Sequence, residues 1–209
     1  MLNYLVSSSY ILNLLYSFIG LIIYKYELED IKSQISIIHS SIIYLSCWLF
    51  INEYIDKGYL IQNFHILIGY FLYDIIYQIG TNNKKEFFIR SCHHIIALGG
   101  INLFINNNNL EIIISKLFLT ELVNIPLEIR YMSIRHNFYP KITKLICLII
   151  IYYLFLTTRI INPYNDYIIV YNYNNKLAIA TFTAIYIIWI YWFILVNIKA
   201  YKMIKNFLN

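Results

Sequence analysis

A small set of ionisable side chains lies inside long apolar stretches of the sequence and could do chemistry. Histidine takes up and releases protons near neutral pH, and a carboxylate can orient it or balance its charge. Such groups are costly in an apolar segment, so they usually face a bundle interior or a cavity. We therefore take this set as the candidate functional residues: His39, Asp74, His93, His94 and Glu121, joined by the amide of Asn124.

The adjacent pair His93 and His94 is the strongest candidate for chemistry. Neighbouring residues on a helix point about 100° apart, so the two imidazoles cannot both address one small centre. A metal site on one helix uses histidines four residues apart, and no such motif occurs, so we predict no metal. One imidazole can instead face the site while its neighbour or Asp74 orients it, as a general base or nucleophile requires. We predict His93, His94 and Asp74 as catalytic residues.

Each of these residues also has a structural interpretation, and the sequence leaves both open. A buried histidine such as His39 can be a hydrogen-bonding strut between helices. Asp74 can be the counter-ion of a histidine or arginine, and Glu121 can pair with Lys116 or Arg130. The supporting polar residues predicted to bind lipid are His39, Glu121, Asn124 and Arg130.

The elements that must position these residues are membrane-spanning helices. Of the 209 residues, 60% are hydrophobic and only 13% charged, which excludes an ordinary soluble domain. A helix needs about 20 apolar residues to cross the hydrocarbon core. The fold class predicted is therefore all-α, a polytopic membrane protein with about seven transmembrane helices. The predicted spans are residues 4–24, 34–51, 60–79, 88–105, 110–129, 142–161 and 177–198.

Prolines refine two of these spans. Pro140 and Pro163 bracket the sixth and are expected to start and stop it. Pro126 lies inside the fifth, where it should kink the helix or end its regular part early.

The basic residues predict the orientation. Lys57 and Lys176 are expected on one side, while Lys116 and Arg159 lie within spans, where Arg159 can snorkel outward. The other twelve of the 16 basic residues fall on the opposite side: Lys25, Lys32, Lys84, Lys85, Arg90, Arg130, Arg135, Lys141, Lys144, Lys199, Lys202 and Lys205. Because cytosolic loops are enriched in basic residues, this side is expected to be the cytosol, with the C-terminus on it and the N-terminus in the lumen or outside. The net charge of +5 is thereby explained by topology, and nucleic-acid binding is not needed to account for it.

The same topology places the candidate residues at similar depth. At about 1.5 Å per residue, His39 and Asp74 lie roughly 8 Å from the cytosolic ends of their spans, and the histidine pair lies roughly 5 to 6 Å inside. Glu121 lies nearer the midplane, whereas His65 lies near the opposite face and is set aside. We therefore predict one polar site that opens towards the cytosol.

Six short motifs occur in a fixed order between about residues 34 and 205. They are Ser36-Ile37-Ile38-His39, Gly69-Tyr70-Phe71-Leu72-Tyr73-Asp74, Arg90-Ser91-Cys92-His93-His94, Thr120-Glu121-Leu122-Val123-Asn124-Ile125-Pro126 with Leu127-Glu128-Ile129-Arg130, Arg159-Ile160-Ile161, and Tyr191-Trp192-Phe193. In this order and topology the chain resembles the TLC domain family, which includes translocating-chain-associating membrane proteins and ceramide synthases. The resemblance is closest to the small TLC-domain proteins.

The resemblance implies a fold and a possible activity. It implies an N-terminal helix and first cytosolic loop (residues 1–33) and a TLC domain (residues 34–205), with spans two to seven forming a six-helix barrel and span one outside. Ceramide synthases of this family join a fatty acyl group from acyl-CoA to a sphingoid base, with the histidine pair in the active site. By that likeness His93 and His94 would accept the acyl group and transfer protons. Those enzymes carry a later His-Asp and a further Asp in span five, where this chain has Thr120-Glu121 and Asn124.

Three functions remain open at this point. The leading hypothesis is a protein of the endoplasmic reticulum or a related membrane that binds lipid in its barrel and influences lipid composition by sensing, transport or modification. The second is a sphingolipid N-acyltransferase that uses acyl-CoA as co-substrate and holds no cofactor. The third is a membrane cargo or translocation partner. Membrane lipids are the expected partners, a sphingoid base and acyl-CoA are the partners that the acyltransferase hypothesis adds, and the oligomeric state is open.

Overall fold

A computed structural model of the chain describes residues 2–22, 28–79, 84–136, 141–172 and 175–208, and these residues contain helices and no strand. Lys25, Pro140 and the end of the first predicted span at residue 24 lie outside the described residues. The α-helices are α1 (Leu2–Ile22), α2 (Leu28–Ile51), α3 (Lys57–Ile79), α4 (Lys84–Asn106), α5 (Glu111–Leu119), α6 (Asn124–Arg135), α7 (Lys141–Leu154), α8 (Asn162–Asn172) and α9 (Lys176–Leu208).

These helices cover the seven predicted spans, which confirms the prediction of an all-α polytopic protein. α5 and α6 correspond to the fifth predicted span, with a 3-10 turn (Thr120–Val123) between them in the sequence. α7 and α8 correspond to the sixth, and a π-helical segment (Phe155–Ile161) joins them into one rod. Four stretches of the described residues are long and apolar enough to cross a membrane: Glu29–Ile51, Phe87–Asn106, Leu145–Asn172 and Lys176–Lys202.

The distribution of side chains is that of a protein in lipid. Many large apolar side chains are exposed, while a number of serine, histidine and charged side chains are buried. Because lipid tails are as apolar as leucine, exposed apolar residues are favourable there, and polar groups gain from interior partners. The chain is therefore an integral membrane protein.

The connection between α2 and α3 has local features that set where both helices end. Glu53 adopts a left-handed conformation with φ of 63°. Its N–H donates to the carbonyl of Phe50, and the Tyr54 N–H donates to the carbonyl of Leu49, which is the Schellman pattern. The Asp56 carboxylate then accepts a hydrogen bond from the Tyr59 N–H at 2.8 Å and caps the start of α3.

Pro126 interrupts the helix of the fifth predicted span, as the sequence predicted. The 3-10 turn ends at Val123, and Pro126 lies in the first turn of α6. Proline has no N–H to donate, and its ring collides with the carbonyl four residues earlier, which here is Leu122. The regular α-helix therefore ends at Leu119 and begins again at Asn124.

Pro163 does not stop the sixth rod, so that prediction was wrong. The rod continues through α8 to Asn172, eleven residues beyond the predicted end at residue 161. In the π-helical segment the Asn162 N–H donates to the carbonyl of Thr157, one residue further back than in an α-helix. This wider turn lets Pro163 enter the first turn of α8, where a missing N–H is tolerated.

The last rod is also longer than predicted. α9 has 33 residues and is therefore about 50 Å long, against a hydrocarbon thickness of about 30 Å. Its final turns carry Lys199, Lys202 and Lys205, and the side chains of Lys202 and Lys205 are exposed.

The chain divides into two compact units, Met1–Glu121 and Leu122–Asn209. In the first, α1 packs along α3, α2 packs against α3 and α5, and α4 packs against α3 and α5. Its apolar core centres on Phe64, whose ring centroid lies 4.9 Å from that of Phe104 and 4.8 Å from that of Phe118.

In the second unit, α6 packs against α7, and α9 packs against α7, the π-helical segment and α8. Phe155, Phe182 and Trp189 form its buried apolar core. The six-helix barrel and the division at residue 33 remain predictions.

Candidate functional site

His94 and Asp74 form the centre of a buried polar cluster in the first unit. The His94 Nε2 atom lies 2.8 Å from Oδ2 of Asp74, and the Gln78 Nε2 donates to the same oxygen at 2.6 Å. A carboxylate oxygen can only accept, so the His94 Nε2 carries the hydrogen. In the neutral imidazole the lone pair is then on Nδ1, which is the nitrogen that can act as a base.

Two polar atoms of this pair face the interior without a hydrogen-bond partner among the described residues. They are His94 Nδ1 and Asp74 Oδ1, and both are buried. The His94 ring is held by a stacked Phe71 at a centroid distance of 4.4 Å, with Tyr70 edge-on at 6.3 Å. Packing and the hydrogen bond together fix the orientation of the imidazole, as a proton-transfer group requires.

His93 points to a different partner, as the angle between adjacent helical residues predicts. The His93 Nε2 lies 3.8 Å from Oε1 of Glu121, and the two imidazole centroids are 5.7 Å apart. Glu121 is on the 3-10 turn that follows α5, which brings its carboxylate to the α4 histidines. The pair is therefore chemically unequal, with a close carboxylate contact at His94 and a longer one at His93.

His39 extends the cluster towards α1. Its Nε2 donates to Oδ1 of Asn13 at 3.1 Å, and its ring stacks on Tyr70 with centroids 4.6 Å apart and planes 15° from parallel. Because Tyr70 also contacts His94, the three rings form a continuous row. Five of the predicted residues thus lie in the first unit: His39, Asp74, His93, His94 and Glu121.

Asn124 and Arg130, which the sequence grouped with these residues, belong to the second unit. The Asn124 Oδ1 accepts a hydrogen bond from Arg159 Nη2 at 2.9 Å, and Arg130 is buried on α6.

Arg159 is buried in an aromatic setting, so the interpretation that it snorkels to the surface was wrong. It is 2% exposed and lies on the π-helical segment. Its guanidinium carbon is 5.0 Å from the ring centroid of Phe155, 6.0 Å from Trp189 and 5.8 Å from Trp192. Three aromatic faces attract the cation and keep it inside the second unit.

Sequence reasoning missed the polar residues of α1 and Gln78. Ser9, Asn13 and Ser17 recur every four residues in a mainly apolar helix, and this period could have identified a buried polar face. Gln78 follows Asp74 by four residues and could have been identified in the same way. Among the described residues, no group of three or more histidine, cysteine or acidic side chains is arranged to hold a metal.

Comparison with known protein families gives one result. The family model described as the TLC domain matches residues 1–205, nearly the whole chain, and this match includes α1. Neither the curated proteins nor the solved structures contain a match to the chain.

Proposed function

Because the chain belongs to the TLC domain family, as its motifs predicted, we propose that this integral membrane protein binds a membrane lipid and influences lipid composition by sensing, transport or modification. The site of binding is the polar cluster around His94 and Asp74 in the first unit. In this proposal the lipid headgroup contacts the cluster, and the acyl chains extend along the apolar side chains of the neighbouring helices.

One observation carries the proposal: buried polar atoms at the centre of the cluster have hydrogen-bonding capacity that the described residues do not use. A buried polar group without a partner costs about 1–3 kcal/mol. His94 Nδ1 and Asp74 Oδ1 both have this status. Both atoms are acceptors, so a headgroup with two donor hydrogens, such as an ammonium group or a pair of hydroxyls, would satisfy both, whereas a purely structural cluster gains nothing from leaving them unpaired.

The orientation of His94 by Asp74 also favours a second candidate, sphingolipid N-acyl transfer from acyl-CoA. The amine of a sphingoid base would attack the thioester carbonyl, a C–N bond would form and the C–S bond would break. His94 Nδ1 would accept the proton released by the amine and return it to the departing thiolate of CoA. Asp74 would stabilise the imidazolium formed between these two steps, because its Oδ2 accepts the hydrogen bond of His94 Nε2 at an N–O distance of 2.8 Å.

The test of lipid binding compares His94→Ala with a matched histidine control. Purified protein is incubated in detergent with an equimolar mixture of phosphatidylcholine, phosphatidic acid, diacylglycerol, sphingosine and ceramide, repurified, and its bound lipid is measured by mass spectrometry. We expect the unmutated protein to retain one lipid class and His94→Ala to lose most of it.

His65→Ala should retain lipid as the unmutated protein does, because the His65 Nδ1 contacts the carbonyl of Ile61 in its own helix, at 2.7 Å, and makes no other hydrogen bond among the described residues. If the unmutated protein retains no lipid beyond that found in empty micelles, lipid binding at this cluster is wrong.

Acyl transfer needs its own assay. The unmutated protein receives acyl-CoA of several chain lengths together with sphingosine, and the amide product is measured by mass spectrometry, with intact-mass analysis for an acyl adduct. Product that disappears in His94→Ala and persists in His65→Ala would support the enzyme. A folded protein that binds lipid but forms neither product nor adduct would leave binding without catalysis as the function.

The location is part of the same proposal. We propose from the family likeness that the protein lies in the endoplasmic reticulum or a related membrane, and from the distribution of basic residues that its N-terminus is lumenal and its C-terminus cytosolic. The exposed lysines at the end of α9 support the orientation, because cytosolic segments are enriched in basic residues.

A further inference from the structure

α1 has three polar side chains inside and several large apolar side chains outside. Ser9, Asn13 and Ser17 lie on one face, spaced by four residues, and are only 7%, 7% and 8% exposed. On the other face Leu12 is 64% exposed and Leu15 is 50% exposed. In a lipid environment this arrangement means that α1 directs a polar face towards the interior of the first unit.

Hydrogen bonds and close packing hold that face against α3. The Ser9 hydroxyl donates to the carbonyl of Ile66 at 2.8 Å, and the Ser17 hydroxyl lies 2.8 Å from the hydroxyl of Tyr73. Gly69 permits the approach, because a Cβ there would lie 2.6 Å from a backbone oxygen of α1. These contacts on both sides of Asn13 fix its position against the other helices of the first unit.

Asn13 uses one half of its amide and leaves the other half unused. Its Oδ1 accepts the hydrogen bond from His39, while its Nδ2 is buried and has no hydrogen-bond partner among the residues that the structure describes. A strut for His39 needs only an acceptor, which an aspartate would also supply. The additional NH₂ group is a buried donor at the His39 end of the row of rings that leads from His39 through Tyr70 to His94.

From this geometry we propose that α1 completes the lipid-binding site and that Asn13 Nδ2 donates a hydrogen bond to an acceptor oxygen of the lipid headgroup. The proposal rests on the proposed lipid-binding function and adds a residue to that site. The headgroup then bridges two helices: it contacts His94 on α4 and Asn13 on α1. An ester, amide, hydroxyl or phosphate oxygen has the required acceptor chemistry.

Asn13→Asp separates the two roles of this side chain. The aspartate keeps an acceptor for the His39 Nε2 but replaces the donor with an oxygen. If Asn13 is only a strut, Asn13→Asp should melt and bind lipid as the unmutated protein does. If Nδ2 binds the headgroup, the variant should keep its melting temperature and bind lipid about fivefold to tenfold more weakly, as expected for the loss of one hydrogen bond.

Asn13→Leu is the second variant, for the case in which a buried carboxylate prevents folding. Asn63→Leu is the matched control, because Asn63 is half-buried on α3 and, among the described residues, its amide donates only to the carbonyl of Tyr59 in its own helix, at 3.4 Å. Each variant is incubated with the same five-lipid mixture, and the bound lipid is expressed per mole of monodisperse protein.

The result that supports the proposal is retention in Asn63→Leu with loss in Asn13→Asp or, if that protein does not fold, in Asn13→Leu. Retention in the folded Asn13 variant, together with loss in His94→Ala, would overturn the role of Asn13 and leave the lipid-binding function intact. Failure of the unmutated protein to bind any of the five lipids would instead overturn the proposed function on which the inference rests.

Discussion

Substitution of Gly69 tests the close approach of α1 and α3, on which the position of Asn13 depends. A Cβ at residue 69 would lie 2.6 Å from the carbonyl oxygen of Val6 and 2.7 Å from the Cβ of Ser9. Favourable contacts between carbon atoms are about 3.5–4.0 Å long, so α1 would have to move away by roughly 1 Å. Gly69→Ala is therefore expected to separate the two helices.

The expected loss of stability follows from two opposing effects. Overpacking of this kind costs about 1–3 kcal/mol, while alanine gains up to about 1 kcal/mol over glycine inside a helix. With the full gain of about 1 kcal/mol subtracted, the net loss in the free energy of unfolding is about 0–2 kcal/mol, equivalent to a melting temperature up to roughly 8 °C lower. Relative to a glycine-to-alanine change that adds no overpacking, the loss is the whole cost of about 1–3 kcal/mol, since the gain in helix propensity is then common to both. The displaced α1 would also carry Asn13 away from His39, so lipid retention should decrease as well.

Gly100→Ala is the control for this experiment. Gly100 is also inside a helix, but the nearest atom to an added Cβ is Cε2 of Phe118 at 3.9 Å, which is an ordinary contact. This variant should melt at or slightly above the temperature of the unmutated protein, because only the gain in helix propensity applies. Melting is measured in detergent by intrinsic fluorescence, and equal temperatures for the two variants would refute the close approach at Gly69.

Three further predictions test other parts of the molecule. His94→Ala should lose about 1–2 kcal/mol of stability and His93→Ala less, because Nε2 of His94 is 2.8 Å from Asp74 and Nε2 of His93 is 3.8 Å from Glu121; equal shifts in melting temperature would contradict this. Arg159→Lys should lose about 1–2 kcal/mol in the same assay, since an ammonium cannot contact three rings and an amide oxygen as a planar guanidinium does, and a variant that melts normally would show that charge alone suffices. A glycosylation acceptor added before the first residue should be modified in microsomes and one added after the last residue should not; modification of the second would reverse the proposed orientation.

Much of the fold was predictable because hydropathy is a local property. Each predicted span contains about 20 residues that are mainly apolar, and the cost of placing polar backbone in lipid forces such segments to be helical. The break near Pro126 was predictable for the same reason, since a proline acts on its own helical turn. Pro163 behaves differently because the π-helical segment before it changes the hydrogen-bonding register, which a single residue type does not reveal.

The ionisable members of the candidate cluster were predictable, whereas its amide and hydroxyl members and its contacts were not. The high cost of burying ionisable groups identified His39, Asp74, His93, His94 and Glu121 from type and position alone. Which imidazole meets which carboxylate depends on the rotation of α4 and on the 3-10 turn after α5, and both are set by packing between segments that are distant in sequence.

What the sequence by itself determined is therefore the set of helices, their apolar outer surfaces and the buried ionisable residues, because each of these follows from the transfer free energy of a single segment. What only the tertiary structure decided is the pairing: the contact of His94 with Asp74, the contact of Asn13 with His39, and the enclosure of Arg159 by aromatic rings. Pairing depends on the distance and rotation between helices, and the packing of many side chains at once determines both.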